Sequence, residues 1–139
     1  MTGRRVTKAT MNEAAHQRLI VALLRLLGWS VYSLSQGYRK ELGGTRMTPG
    51  IPDLYAFHRH KRLTLWVEVK PPAELRRLDR LLERNPLEVP KSAKASWRRA
   101  VAQQQFGDLC DAVGQSYVRG GVEDVTAHLH TLGFKIGQA

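Results

Sequence analysis

The chain is short of cysteine, of acids in its first half and of long apolar runs, and each shortage excludes something. One cysteine, Cys110, among 139 residues cannot close an internal disulfide. The fold must therefore hold by packing alone, and a reducing cytoplasm is its natural setting. Zinc-finger Cys/His spacing, a Walker-type phosphate loop and a G-x-G-x-x-G turn are all missing. That sets aside zinc-built DNA readers and the common nucleotide-binding folds, so no nucleotide cofactor is expected. The most apolar stretch, Leu19 to Trp29, is too short to span a bilayer and carries Arg25. It does not read as a signal peptide either, because Glu13, His16 and Arg18 interrupt its approach and no small-residue cleavage site follows. No internal repeat is visible, and the length is that of one domain.

Acids are scarce where bases are dense. Residues 1–70 carry 12 Lys and Arg but only four Asp and Glu, residues 71–101 carry eight against four, and residues 102–139 carry two against four. The net charge is +10. A basic front with a near-neutral rear is what a face built for a polyanion looks like, with nucleic acid as the first candidate and no membrane partner implied.

Hydrophobic periodicity predicts one α/β domain over residues 1–139, in the order helix, three strands, helix, strand, helix. Residues 1–10 form a basic N-terminal arm. A helix starts near Met11 with Asn12 as N-cap, and Gly28 closes it. Trp29–Leu34 alternates as a strand, and residues 35–50 form a Gly-rich basic loop. Asp53–His58 and Leu63–Lys70 read as an antiparallel hairpin around Arg59–Arg62, ended by Pro71-Pro72. Residues 73–84 read as an amphipathic Arg-rich helix, 92–113 as a long helix closed by Gly114, 115–119 as a strand and 122–132 as a last helix.

The first 70 residues hold only four carboxylates: Glu13, Glu41, Asp53 and Glu68. If the hairpin turns between His60 and Lys61, Asp53 stands opposite Glu68. Opposed like charges destabilise a hairpin unless something positive lies between them, and a divalent cation is the obvious candidate. Period-two alternation puts Glu68 and Lys70 on one face and Val67 and Val69 on the other. Hard oxygen ligands select Mg²⁺ or Mn²⁺. Lys70 beside such a site either orients or deprotonates a water, or stabilises a pentavalent phosphate by charge; the residues alone leave both roles open. Each group also has a plain reading: Asp53 as a turn cap after Pro52, Glu68 and Lys70 as a solvated strand face, Glu13 as a helix-dipole acid.

Taken together, Gly50-Ile51-Pro52-Asp53-Leu54 and Trp66-Val67-Glu68-Val69-Lys70 resemble the signature of the PD-(D/E)XK nucleases. The resemblance is greatest to the VRR-NUC branch, with its G-I-P-D and E-V-K motifs. The helix carrying Glu13 is similar to that family's leading acidic helix. Gln103-Gln104-Gln105-Phe106 is similar to its Q-x-x-F helix, with Gln103 the best-aligned glutamine. Tyr117-Val118-Arg119 and Val122-Glu123-Asp124-Val125 resemble its closing strand and helix. The resemblance runs along nearly the whole chain. It departs in an Arg-rich insertion at about 71–91 and in a closing strand only loosely like the naming motif.

The resemblance implies a restriction-endonuclease-like core and a Mg²⁺- or Mn²⁺-dependent phosphodiesterase. Asp53, Glu68 and the backbone carbonyl of Val69 would ligate the ion, Glu13 would assist through water, and Lys70 and Gln103 would complete the site. Stand-alone members are typically homodimers acting on branched DNA such as four-way (Holliday) junctions in repair and recombination. A flap or single-strand nuclease, or a basic DNA-binding module without chemistry, are the rival readings. Arg39, Lys40 and Arg46 before the Asp53 strand, and Arg76, Arg77 and Arg80 in the insertion, are the expected phosphate contacts. Tyr38 is a candidate for stacking on a base. His58 and His60 are expected to contact phosphate or solvent rather than a transition metal, His16 to lie on the helix surface, and Cys110 to pack in the core.

Overall fold

A computed structural model describes residues 11–34 and 50–136. Among the described residues, four helices pack on a four-stranded sheet: α1 (Glu13–Leu26), β1 (Trp29–Ser33), β2 (Leu54–His58), β3 (Leu63–Val69), α2 (Pro72–Leu82), α3 (Lys94–Val113), β4 (Ser116–Gly120) and α4 (Val122–Thr131). Short 3₁₀ turns at Pro86–Glu88 and Lys91–Ala93 join α2 to α3. The helix expected from residue 92 thus begins with a 3₁₀ turn. The remaining boundaries shift by one or two residues.

The capping residues act as their chemistry dictates. Asn12 accepts the Ala15 backbone N–H at 2.9 Å, and Glu13 complements the positive end of the α1 dipole. Gly28 and Gly114 take the left-handed conformation that ends α1 and α3. Pro72 occupies the first turn of α2, where its missing N–H costs nothing.

The strands lie in the order β1-β2-β3-β4, with β1 and β3 antiparallel to β2 and with β3 parallel to β4. A parallel pair needs a crossover, and α2 and α3 make it. Leu54 pairs with Val67 and His58 with Leu63, the register the turn at His60-Lys61 demands. One sheet face carries Leu54, Ala56, Leu65, Val67, Val69 and Val118, buried against Ile20 and Leu24 of α1 and Val125 and Leu129 of α4. No described helix is long and apolar enough to cross a membrane.

The opposite sheet face is aromatic and polar. Tyr55 stacks on Trp66 at 3.9 Å between centroids, and Trp66 meets Phe106 of α3 edge-on at 5.0 Å. α3 approaches β4 closely at Gly107, where a Cβ would come within 2.7 Å of the Tyr117 ring. The inserted segment has a small core of its own: Leu78, Leu81 and Val89 close on Ala100 of α3, with Trp97 beside them.

Candidate active site

Asp53 lies one residue before β2, in continuation of the Leu54–Val67 register, so it faces Glu68 across the strand ends. Its Oδ2 accepts the Val69 backbone N–H at 2.8 Å. The carboxylate thereby takes over a main-chain donor just beyond the last registered pair of β2 and β3. Gly50 sets the approach of this segment. Its φ is +87°, and a Cβ there would stand 2.7 Å from the Ala102 carbonyl oxygen of α3. The turn before Asp53 therefore rests on α3 one residue before Gln103, and only glycine fits.

Glu68 is 3% exposed, and its two oxygens have different surroundings. Oε1 accepts the Gln103 amide at 3.0 Å and lies 3.6 Å from the Lys70 ammonium; Oε2 is buried without a partner. The Glu68 pKa is pushed up to about 8, first by burial, then by the Asp53 charge, while Lys70 opposes the rise. Lys70 is almost wholly buried and reaches Glu13 Oε1 at 3.9 Å. Burial raises the Glu13 pKa as well, with Lys70 again opposing.

The structure thus brings together Glu13, Asp53, Glu68, Lys70 and Gln103. Of the three neighbouring glutamines, Gln103 is buried and faces Glu68, whereas Gln104 and Gln105 are exposed. Val69 turns its side chain into the core and offers the site only its backbone. Among the described residues no three carboxylate, imidazole or thiol groups form a ready cage for a metal ion. Asp53 and Glu68 supply two hard oxygen ligands, one of them the orphaned Glu68 Oε2, and Glu13 turns toward Lys70. This donor set suits Mg²⁺ or Mn²⁺, which keep several waters and need few protein ligands.

Two histidines differ from expectation. His16 is buried rather than on the helix surface, and its Nδ1 accepts the Val122 N–H at 3.1 Å at the start of α4. His58 is buried, with both ring nitrogens taken by the backbone: its Nε2 donates to the Leu27 carbonyl at 3.0 Å and its Nδ1 accepts the Lys61 N–H at 3.1 Å. Both rings satisfy backbone groups left over at helix and strand ends. Cys110 is buried, as expected of a small apolar side chain.

Arg39, Lys40, Arg46 and Tyr38 lie outside the described residues. Arg76, Arg77 and Arg80 are exposed on α2, and only Arg77 lines the cleft that opens beside Lys70. Sequence reasoning missed three groups. Arg99 and Ser96 of α3 line the same cleft; Arg99 sits one helical turn before Gln103, a spacing that carries the signal. Arg119 stands level with Glu68 in the parallel ladder and grips Asp79 of α2 at 2.6 Å, a pairing across 40 residues that no local pattern announces.

No family model, no curated protein and no solved structure matches the chain.

Proposed function

We propose that the chain is a divalent-metal-dependent phosphodiesterase acting on DNA, with a restriction-endonuclease-like core of the VRR-NUC kind. The observation that carries this reading is the facing of Asp53 and Glu68 at the ends of β2 and β3, with an unpartnered buried oxygen on Glu68 and Lys70 at 3.6 Å. A buried acid facing a second carboxylate is electrostatically unfavourable, and the raised Glu68 pKa expresses that cost, which Lys70 only partly relieves. An acid so perturbed by burial and a specific charged neighbour, set beside a cleft, is a candidate catalytic group.

Asp53 and Glu68 would hold the ion, and Glu13 would act through water. When bound, Mg²⁺ or Mn²⁺ would polarise a phosphoryl oxygen and favour ionisation of a water. Gln103 fixes the Glu68 carboxyl through Oε1, leaving the buried Oε2 without a protein partner. The Val69 N–H fixes Asp53 in the same way. Lys70, held between Glu13 and Glu68, orients the attacking water or stabilises the negative charge that builds on the phosphate. Affinity comes from the Arg and Lys surface through phosphates, without base readout.

The resemblance points to branched DNA cut symmetrically by a homodimer, since two incisions related by a two-fold axis need two sites. The test is incision by the wild type in Mn²⁺ of a four-way junction, a 5′ flap, a linear duplex and a single strand. Paired nicks in the junction are expected. Cutting of the flap or single strand alone would retain the nuclease and remove the junction preference. Binding to all four DNAs with no cutting would make the chain a binding module.

A further inference from the structure

The insertion is not a loose appendage, because it builds one wall of a cleft at the proposed nuclease site. α2 packs on α3 through Leu78 and Ala100, and the Asp79–Arg119 pair ties it to the strand beside Glu68. Between the two helices lies a shallow cleft open to solvent. Its polar lining is Lys70, Glu74, Arg77, Ser96, Arg99 and Gln103. Three cations face one acid there. Arg77 pairs with Glu74 at 3.8 Å, across one helical turn and half exposed, a contact of small worth. Arg99 is exposed and makes no ion pair among the described residues. At the inner end, the Gln103 side-chain oxygen is buried without a partner, and Lys70 continues the cleft to Glu68.

We infer that this cleft seats a backbone phosphate of the bound DNA next to the phosphate attacked, with Arg77 and Arg99 as its two cationic jaws and the Ser96 hydroxyl as a neutral donor. The inference rests on the nuclease reading of the Asp53–Glu68 site and adds to it a specific position for the strand. Guanidinium groups suit phosphate by their planar paired donors. The two arginines come from different helices, so the phosphate would be gripped from opposite sides. Arg76 and Arg80 lie on α2 away from the cleft and take no part in this contact.

The experiment is DNA binding in EDTA, read by fluorescence anisotropy of a labelled duplex over a series of salt concentrations. The proteins are wild type, Arg77→Gln, Arg99→Gln and Lys135→Gln, the last an exposed cation outside the cleft. Each cleft variant should weaken binding and reduce the slope of log K against log salt, by up to about 0.9, the full value for the one phosphate the two arginines share. Lys135→Gln should leave the slope unchanged. Slopes equal to wild type in both cleft variants, or an equal drop in Lys135→Gln, would overturn the assignment. Inorganic phosphate, titrated calorimetrically, separates the two sources of this chemistry. No binding that depends on Arg77 or Arg99 is expected at low millimolar phosphate, whereas such binding would make the cleft a free-phosphate site and overturn the DNA assignment. Arginine-dependent slopes in a wild type that cuts nothing would reject the nuclease and keep the clamp. Cutting with unchanged slopes would reject the clamp and keep the nuclease.

Discussion

Asp53 accepts the backbone N–H of Val69 at 2.8 Å, so the acid that leads β2 is tied to the residue standing between Glu68 and Lys70 in β3. The two halves of the site are thus locked by the hairpin itself. A slip of one residue in register would send Glu68 and Lys70 into the core and Val67 and Val69 into the cleft. That single dependence explains why the site and the hydrophobic core are specified by the same alternation.

Glu68 makes the metal-free protein sensitive to pH. Its folded pKa is pushed up to about 8, above the ordinary carboxyl value of 4.5 that the unfolded chain would have. Between these values the folded state holds more protons, so this group's contribution to stability is full below the lower value and declines as pH rises toward the upper one. The melting temperature in EDTA should therefore fall between pH 5 and pH 8, and Glu68→Gln should flatten that fall. Mn²⁺ at pH 8 should raise the melting temperature of the wild type and leave Glu68→Gln unmoved. An equal Mn²⁺ response in both proteins would place the ion elsewhere.

Gln103 donates to Glu68 Oε1 and so holds that carboxyl in place. Gln103→Leu removes the donor to Oε1 and should cost about 1–3 kcal/mol in stability. Cleavage should drop roughly 10–100-fold, in line with loss of a group that orients a ligand. Gln104→Leu, on the exposed side of α3, should change neither. Thermal melts and single-turnover cleavage of the three proteins decide the point, with raised Mn²⁺ partly restoring Gln103→Leu if its role is positional.

Gly50 is the hinge of the approach to Asp53. Gly50→Ala forces a side chain into the left-handed region, at about 1–2 kcal/mol, and against the Ala102 carbonyl oxygen at 2.7 Å. A lower melting temperature and reduced cleavage should appear together. Unchanged values of both would show that the turn does not rest on α3.

His16 holds the start of α4 by accepting the Val122 N–H, a structural role. His16→Ala strips the acceptor from the Val122 N–H and should destabilise the fold by about 1–2 kcal/mol. Cleavage at a temperature where the variant stays folded should match the wild type. A selective loss of cleavage with normal stability would instead put His16 in the site.

Much of this was legible in the sequence because it is local. The alternation of β3, the polar turn at Arg59–Arg62 and the scarcity of acids before residue 70 together place Asp53 opposite Glu68, with Lys70 two residues on. The glutamine repeat was ambiguous because residues 103, 104 and 105 point in three directions from one helix, and only docking of α3 through Gly107 and Ala102 selects the first. His16 and His58 were misread because a histidine's partner here is a backbone group brought from a distant element, Val122 or Leu27. The Arg119–Asp79 tie and the cleft it frames depend on how the insertion folds back, which no spacing along the chain encodes.

The most direct measurement is single-turnover cleavage of an end-labelled four-way junction by wild type and Asp53→Asn, in Mn²⁺ and in EDTA. The account predicts cutting by the wild type in Mn²⁺ alone, with Asp53→Asn binding the junction at least as tightly yet cutting at background. Equal cutting by the two proteins, or cutting that survives EDTA, would contradict it.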